Sequence, residues 1–116
     1  MKTLGSEGEN LAVKFLKGKG YQIIERNYKT PLGEIDILAM DGNTLVIVEV
    51  KTRTDNIFGY PFESVNERKR QKLRDLASLY LKRLGKEPPV RFDVLSILYR
   101  DRGKKEIEHI KDAFEV

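Results

Sequence analysis

The 116-residue chain contains no cysteine, so disulfides and thiolate metal sites are excluded and the redox compartment stays open. Histidine is nearly absent as well. His109 is the only one, which rules out paired-histidine zinc sites and argues against a Ser-His-Asp triad. No apolar run approaches membrane-spanning length, and Met1-Lys2-Thr3-Leu4-Gly5-Ser6-Glu7 lacks an apolar signal core. A cytoplasmic protein with no membrane partner is therefore the expectation. Internal repeats, low-complexity tracts and linkers are missing too, as are P-loop, dinucleotide and metalloprotease signatures.

What is present is charge on a globular background. Charged residues make up 34% and hydrophobic ones 40%, with a formal net charge of +4. That length suits one domain, residues 1–116, with a real core and no room for a second. The basic excess is concentrated. Residues 64–86 hold eight Lys/Arg against Glu67 and Asp75, a net of +6, so the remainder sums to −2. Such a segment suits a polyanion-binding face or, more plainly, a solvated helix surface.

Periodicity gives the elements. Leu11, Ala12, Phe15 and Leu16 recur at helical spacing over 6–18, and Gly18-Lys19-Gly20 supplies a stop. Residues 21–28 read as a strand ended by the turn-prone 29–33. Two more strands follow at about 34–40 and 44–52. Residues 53–63 show little periodicity and read as a mobile loop. A long helix over 64–84 carries Val65, Leu73, Leu76, Ala77, Tyr80 and Leu84 on one stripe, and Gly85 with Pro88-Pro89 ends it. Val90–Tyr99 is a fourth strand, and Ile107–Ile110 suggests a fifth. The expected class is α/β, a mixed β-sheet flanked by helices in the order α-β-β-β-α-β(-β).

The informative stretch is 33–53, which places Asp36 in one apolar strand and Glu49-Val50-Lys51 at the end of the next. Strand side chains alternate, so Leu45, Ile47, Glu49 and Lys51 share one face. If Gly42-Asn43 is a two-residue hairpin turn, residues summing to 85 stand opposite each other, and Asp36 faces Glu49. Opposed carboxylates repel unless a cation sits between them, and a hard oxygen-ligated ion such as Mg²⁺ fits that role. Lys51, one step further on the same face, would stabilise developing phosphorane charge or orient an attacking water. The plain alternative is a buried Asp36–Lys51 or Glu49–Arg pair in an ordinary sheet.

Three further residues compete with bland readings. Glu9 fits a capping box with Ser6 as N-cap, yet it borders the apolar stripe and could equally point toward Asp36. Lys69 and Lys72 lie nearest the sheet on the long helix and suit phosphate contacts, whereas Arg70 and Arg74 should face solvent.

Asp36 followed by Glu49-Val50-Lys51, behind a helix bearing Glu9, resembles the PD-(D/E)xK nuclease superfamily and its restriction-endonuclease-like fold, with Ile35 in the place of the proline. More narrowly the chain is similar to the YraN-like family of small uncharacterised bacterial proteins. The matching stretches are 8–12, 33–36, 48–53, 58–61, Lys69 with Lys72, and Arg91-Phe92-Asp93-Val94. That family is similar in turn to archaeal Holliday-junction resolvases, which are dimeric and Mg²⁺-dependent. By position the resemblance implies Asp36 and Glu49 as metal ligands, with the Val50 backbone carbonyl as a further one. It also implies Lys51 as the catalytic lysine, Glu9 as an auxiliary acid, and Arg53, Lys69 and Lys72 as nucleic-acid contacts. The function so implied is a Mg²⁺- or Mn²⁺-dependent endonuclease acting on DNA rather than RNA, branched or structured DNA included. A homodimer would be needed to cut both strands of a junction. The alternative is a non-cleaving nucleic-acid-binding module of the same fold.

Overall fold

The computed structural model describes residues 4–54 and 65–116. Helix α1 (Leu4–Gly18) is followed by β1 (Gln22–Thr30), β2 (Gly33–Asp41) and β3 (Thr44–Thr54). After it come α2 (Glu67–Leu84), β4 (Val90–Tyr99), a 3-10 turn (Asp101–Gly103) and β5 (Lys105–Phe114). The five strands form one mixed sheet in the order β1-β2-β3-β4-β5, with β3 and β4 parallel and every other neighbouring pair antiparallel. This is the α/β architecture that the sequence pattern predicts. Among the described residues no helix is long and apolar enough to cross a membrane.

The sheet is covered on both faces because its strands carry apolar side chains on both. Leu38, Leu45, Ile47, Phe92 and Val94 pack with Leu73, Leu76 and Ala77 of α2. Ile37, Ala39, Val46, Val48, Leu95 and Ile97 pack with Ala12 and Leu16 of α1. The predicted alternation along β3 is therefore the observed one, with Leu45 and Ile47 toward α2 and Val46 and Val48 toward α1. Gly42, at φ 60°, occupies the first central position of the Gly42-Asn43 turn, a backbone region that costs glycine nothing. The turn sets the register Ile37↔Val48 through Asp41↔Thr44, in which paired numbers sum to 85 as expected.

Several boundaries differ from the pattern-based reading. Helix α1 begins at Leu4, so Ser6 lies inside it rather than at its N-cap. Arg53 and Thr54 belong to β3, and the rest of the expected loop, with Ser64, lies outside the described residues. Helix α2 begins at Glu67 because Asn66 caps it, its side chain accepting from the Lys69 amide at 3.0 Å. Val65 is buried beneath that helix but precedes it. The expectation that Arg70 and Arg74 face solvent is wrong. Both guanidinium groups lie 5.5 Å over the Phe114 ring, and they donate to the carbonyls of Val65 and Glu115 respectively. Strand β5 ends against this helix flank and supplies an aromatic face for the two cations.

Candidate active site

Strands β2 and β3 part company where the acids begin. The next pair in their register, Asp36 and Glu49, falls beyond the ladder. There the Val50 amide donates to Asp36 Oδ2 at 2.8 Å, so a side chain stands in for a backbone acceptor. The alternation of β2 slips at the same residue. Ile35 packs under α2, whereas Ile37, two positions on, packs under α1. Strand β2 rolls at Asp36, and its carboxylate lies between the two faces rather than on one.

Acids reach Asp36 from three directions. Glu9 of α1 and Glu34 of β2 each offer an oxygen, and with Asp36 these atoms lie within 4.8 Å of one another. Glu49 enters from the α2 face, where it is 5% exposed. Its Oε1 is 3.5 Å from Lys51 Nζ and 3.5 Å from Lys69 Nζ. Its Oε2 is buried without a hydrogen-bond partner. Burial pushes the Asp36 carboxyl up to about 7, and the negative charges of Glu49 and Glu9 push the same way, against the Val50 hydrogen bond and the charge of Lys69.

A cleft of about 250 Å³ runs between β2 and α2, lined by Glu34, Asp36, Lys69 and Lys72 over Leu73 and Leu76. The Lys72 stem crosses Gly33 closely enough that a Cβ there would come 2.9 Å from its Cε. On the opposite side, Glu9 is 3.9 Å from Arg26, which donates to Asn10 at 2.7 Å. The adjacent Gly8 seats α1 directly on β3, since a methyl group on it would overlap Thr52 Cγ2.

Of the expected residues, Glu9 brings an oxygen to Asp36, Glu49 pairs with Lys51 and Lys69, and Lys69 and Lys72 share the cleft wall with Asp36. Val50 takes part through its amide. Arg53 lies half-buried on β3, two residues beyond Lys51. Sequence reasoning missed Glu34. Its signal was available, because Glu34 and Asp36 are two apart on one strand and so tend toward one side of it.

Whether these residues suit a divalent cation follows from their chemistry. All four acids offer hard oxygen donors, which Mg²⁺ and Mn²⁺ prefer. Among the described residues, three buried polar atoms lack a hydrogen bond: Glu49 Oε2, the Tyr99 hydroxyl and His109 Nδ1. Only the first belongs to a carboxylate, the group for which an empty lone pair is most costly.

A second charged cluster, on the α1 face of β4, makes the contrast. Burial alone would raise the Asp93 carboxyl. Hydrogen bonds from His109, Arg91 and the Asp112 amide overrule it and hold the group below its ordinary value. Arg91 grips Asp93 through two nitrogens, at 2.9 and 3.0 Å, and continues to Asp41 at 2.9 Å and Tyr21 at 2.6 Å. The Asp112 amide closes the bulge between β4 and β5. Every oxygen of Asp93 is satisfied, so that cluster reads as structure.

Fold and site together define a small α/β protein with a carboxylate–lysine centre where two adjacent strands of a mixed sheet separate. The chain belongs to the uncharacterised protein family UPF0102, whose sequence model matches residues 8–97 and so spans every residue of that centre. It is 55% identical to a UPF0102 protein of Thermodesulfovibrio yellowstonii over 111 residues, 96% of this chain and 95% of that one. It is 49% identical to one of Geotalea uraniireducens over 116 residues, 99% and 91% of the two chains. A UPF0102 protein of Alkaliphilus oremlandii is 45% identical over 116 residues, 97% of this chain and 98% of that one.

Proposed function

We propose that this protein is a divalent-cation-dependent endonuclease that hydrolyses phosphodiester bonds in DNA, branched or structured DNA being the preferred form. One observation carries the reading: where β2 and β3 separate, Glu9, Glu34 and Asp36 bring carboxylate oxygens together, and Glu49, whose charge acts on Asp36, pairs with two lysines and keeps one buried oxygen without a partner. Asp36 and Glu49 would hold Mg²⁺ or Mn²⁺, with Glu9, Glu34 and the Val50 carbonyl as further oxygen donors. When bound, the cation supplies Lewis acidity toward phosphate and water.

The chain's own residues do the rest. Lys51, fixed 3.5 Å from Glu49, places an ammonium where charge grows on the phosphoryl oxygens. Lys72, with its stem against Gly33, and Lys69 line the cleft and anchor the flanking phosphates, and Arg53 extends that track along β3. Phosphate contacts of this kind read shape rather than sequence. Cutting both strands of a junction takes two such centres, which implies a symmetric homodimer.

The second reading, a binding module that does not cleave, draws on the same two lysines, because they already offset the charge of Glu49. Cleavage assays separate the two. Wild type, Asp36→Asn, Glu49→Gln and Lys51→Met are incubated with four-way junctions, flaps, single strands and RNA, with Mg²⁺ or Mn²⁺. The expected result is cleavage of DNA substrates by wild type, reduced at least ~100-fold in each variant, with binding retained. Cleavage that survives all three substitutions refutes the assigned centre. Binding without cleavage under every condition favours the second reading.

A further inference from the structure

Two lysines share one oxygen of Glu49. Lys51 comes from the strand that also carries Glu49, but Lys69 comes from the first turn of α2, and both ammonium groups lie 3.5 Å from the same Glu49 oxygen. The two are not equally fixed. The Lys51 side chain is 28% exposed and its neighbours are β-sheet, whereas that of Lys69 is 38% exposed on the wall of the cleft. The Lys69 backbone is pinned, because its amide caps on Asn66 Oδ1. Its long side chain is therefore a tethered cation that can pivot without moving the helix.

We propose that Lys69 is a built-in counter-ion that competes with the divalent cation for the carboxylate centre until a nucleic-acid phosphate draws it away. It thereby couples cation binding to polyanion binding. The inference rests on the endonuclease reading and names what governs its centre.

The coupling is electrostatic. An ammonium within ion-pair distance of Glu49 also acts on Asp36, whose carboxyl it lowers against burial and against Glu49 and Glu9. A divalent cation entering between those acids meets that positive charge beside the buried Glu49 carboxylate, where screening is weaker than in bulk water. A phosphate in the cleft offers Lys69 another anionic partner, since the same wall carries Lys72. Once Lys69 turns to phosphate, the repulsion falls and the cation binds more tightly. Linkage makes the effect reciprocal, so the cation must strengthen nucleic-acid binding by the same factor. Lys51 is less suited to this exchange, because its side chain is the more buried of the two and the cleft wall is formed by Lys69 and Lys72.

The test is a Mn²⁺ titration by calorimetry of DNA-free wild type, Lys69→Met and Lys82→Met. The last removes one positive charge from the far end of the same helix. It is paired with junction binding, measured with and without Mn²⁺ on a phosphorothioate-protected four-way junction. Lys69→Met should bind Mn²⁺ about tenfold more tightly than wild type, and Lys82→Met should stay within about twofold. Mn²⁺ should strengthen junction binding by wild type about tenfold and by Lys69→Met scarcely at all. Binding by wild type that Lys69→Met leaves unchanged or weakens overturns this inference and leaves the endonuclease reading standing. No Mn²⁺ binding by any of the three proteins overturns both.

Discussion

Asp36 serves the sheet and the centre with one carboxylate. Its Oδ2 replaces a ladder acceptor for Val50, while its charge sits among Glu9, Glu34 and Glu49. Burial, then Glu49, pushes its carboxyl from 3.8 up to about 7, so the native state favours the neutral form. The stability this contributes is fully present below 3.8 and is lost as pH rises through about 7, where the folded protein holds a proton that the unfolded chain has released. Asp36→Asn keeps an oxygen for the Val50 amide and removes the charge. Thermal melts in chelator should show the variant ~3–6 °C above wild type at pH 8 and about level with it at pH 4. A lower midpoint for the variant at pH 8 would mean that the acids are compensated in the folded state. The charges themselves were legible in the sequence, because acids and a lysine inside apolar strands stand out. Glu34 was missed although it stands two residues from Asp36 on the same strand, because an acid at a strand's exposed start is ordinarily a solvated residue.

Helix α1 is positioned by a single hydrogen atom. Gly8 sits against Thr52 on β3 and Ile97 on β4, and it is this close approach that lets Glu9 reach Asp36. Gly8→Ala improves helix propensity by ~1 kcal/mol but forces a methyl group onto a stiff β-branched side chain, at ~1–3 kcal/mol. The second term wins. The variant should lose about 1 kcal/mol of stability and bind Mn²⁺ more weakly, and Gly8→Ala/Thr52→Ser should recover both. Calorimetry on the four proteins of that cycle decides it, and unchanged Mn²⁺ affinity in Gly8→Ala would remove Glu9 from the centre. At this scale the sequence was read well where a local signal fixes geometry. Gly42-Asn43 set the hairpin register to the residue, and Gly85 ended α2 where expected, although its start at the Asn66 cap fell three residues later than the periodicity suggests. It was read badly where a distant partner decides. Arg70 and Arg74 look like solvent-facing residues on a helical wheel, and only the path of β5 brings Phe114 beneath them. The full length of β5, Lys105–Phe114, was hidden for a related reason. An edge strand with a bulge at Asp112 has little apolar content of its own.

Across the whole molecule, strand order follows chain order, and α2 carries the one parallel connection, between β3 and β4. That crossover brings the basic segment of the chain over the α2 face, where Glu49 and Lys51 emerge from β3. The arrangement was legible because a long amphipathic helix between two apolar strands leaves few alternatives. The second charge cluster was not. Arg91, Asp93 and His109 come from two strands whose bulged pairing no spacing predicts, and their hydrogen bonds are spent on one another. The open centre has a different kind of incompleteness. Asp36 has committed Oδ2 to the backbone and Glu49 has committed Oε1 to Lys51, so each keeps one oxygen to offer. Neither acid is then free to chelate with both arms. Calcium favours many oxygens and two-armed carboxylates, whereas magnesium and manganese take one oxygen apiece and keep their waters. Ion selectivity would then be written into the sheet's own hydrogen bonding and not into the width of a cavity. Competition titrations should rank Ca²⁺ roughly tenfold below Mn²⁺. Equal affinities would mean that the two acids release Val50 and Lys51 when a cation arrives.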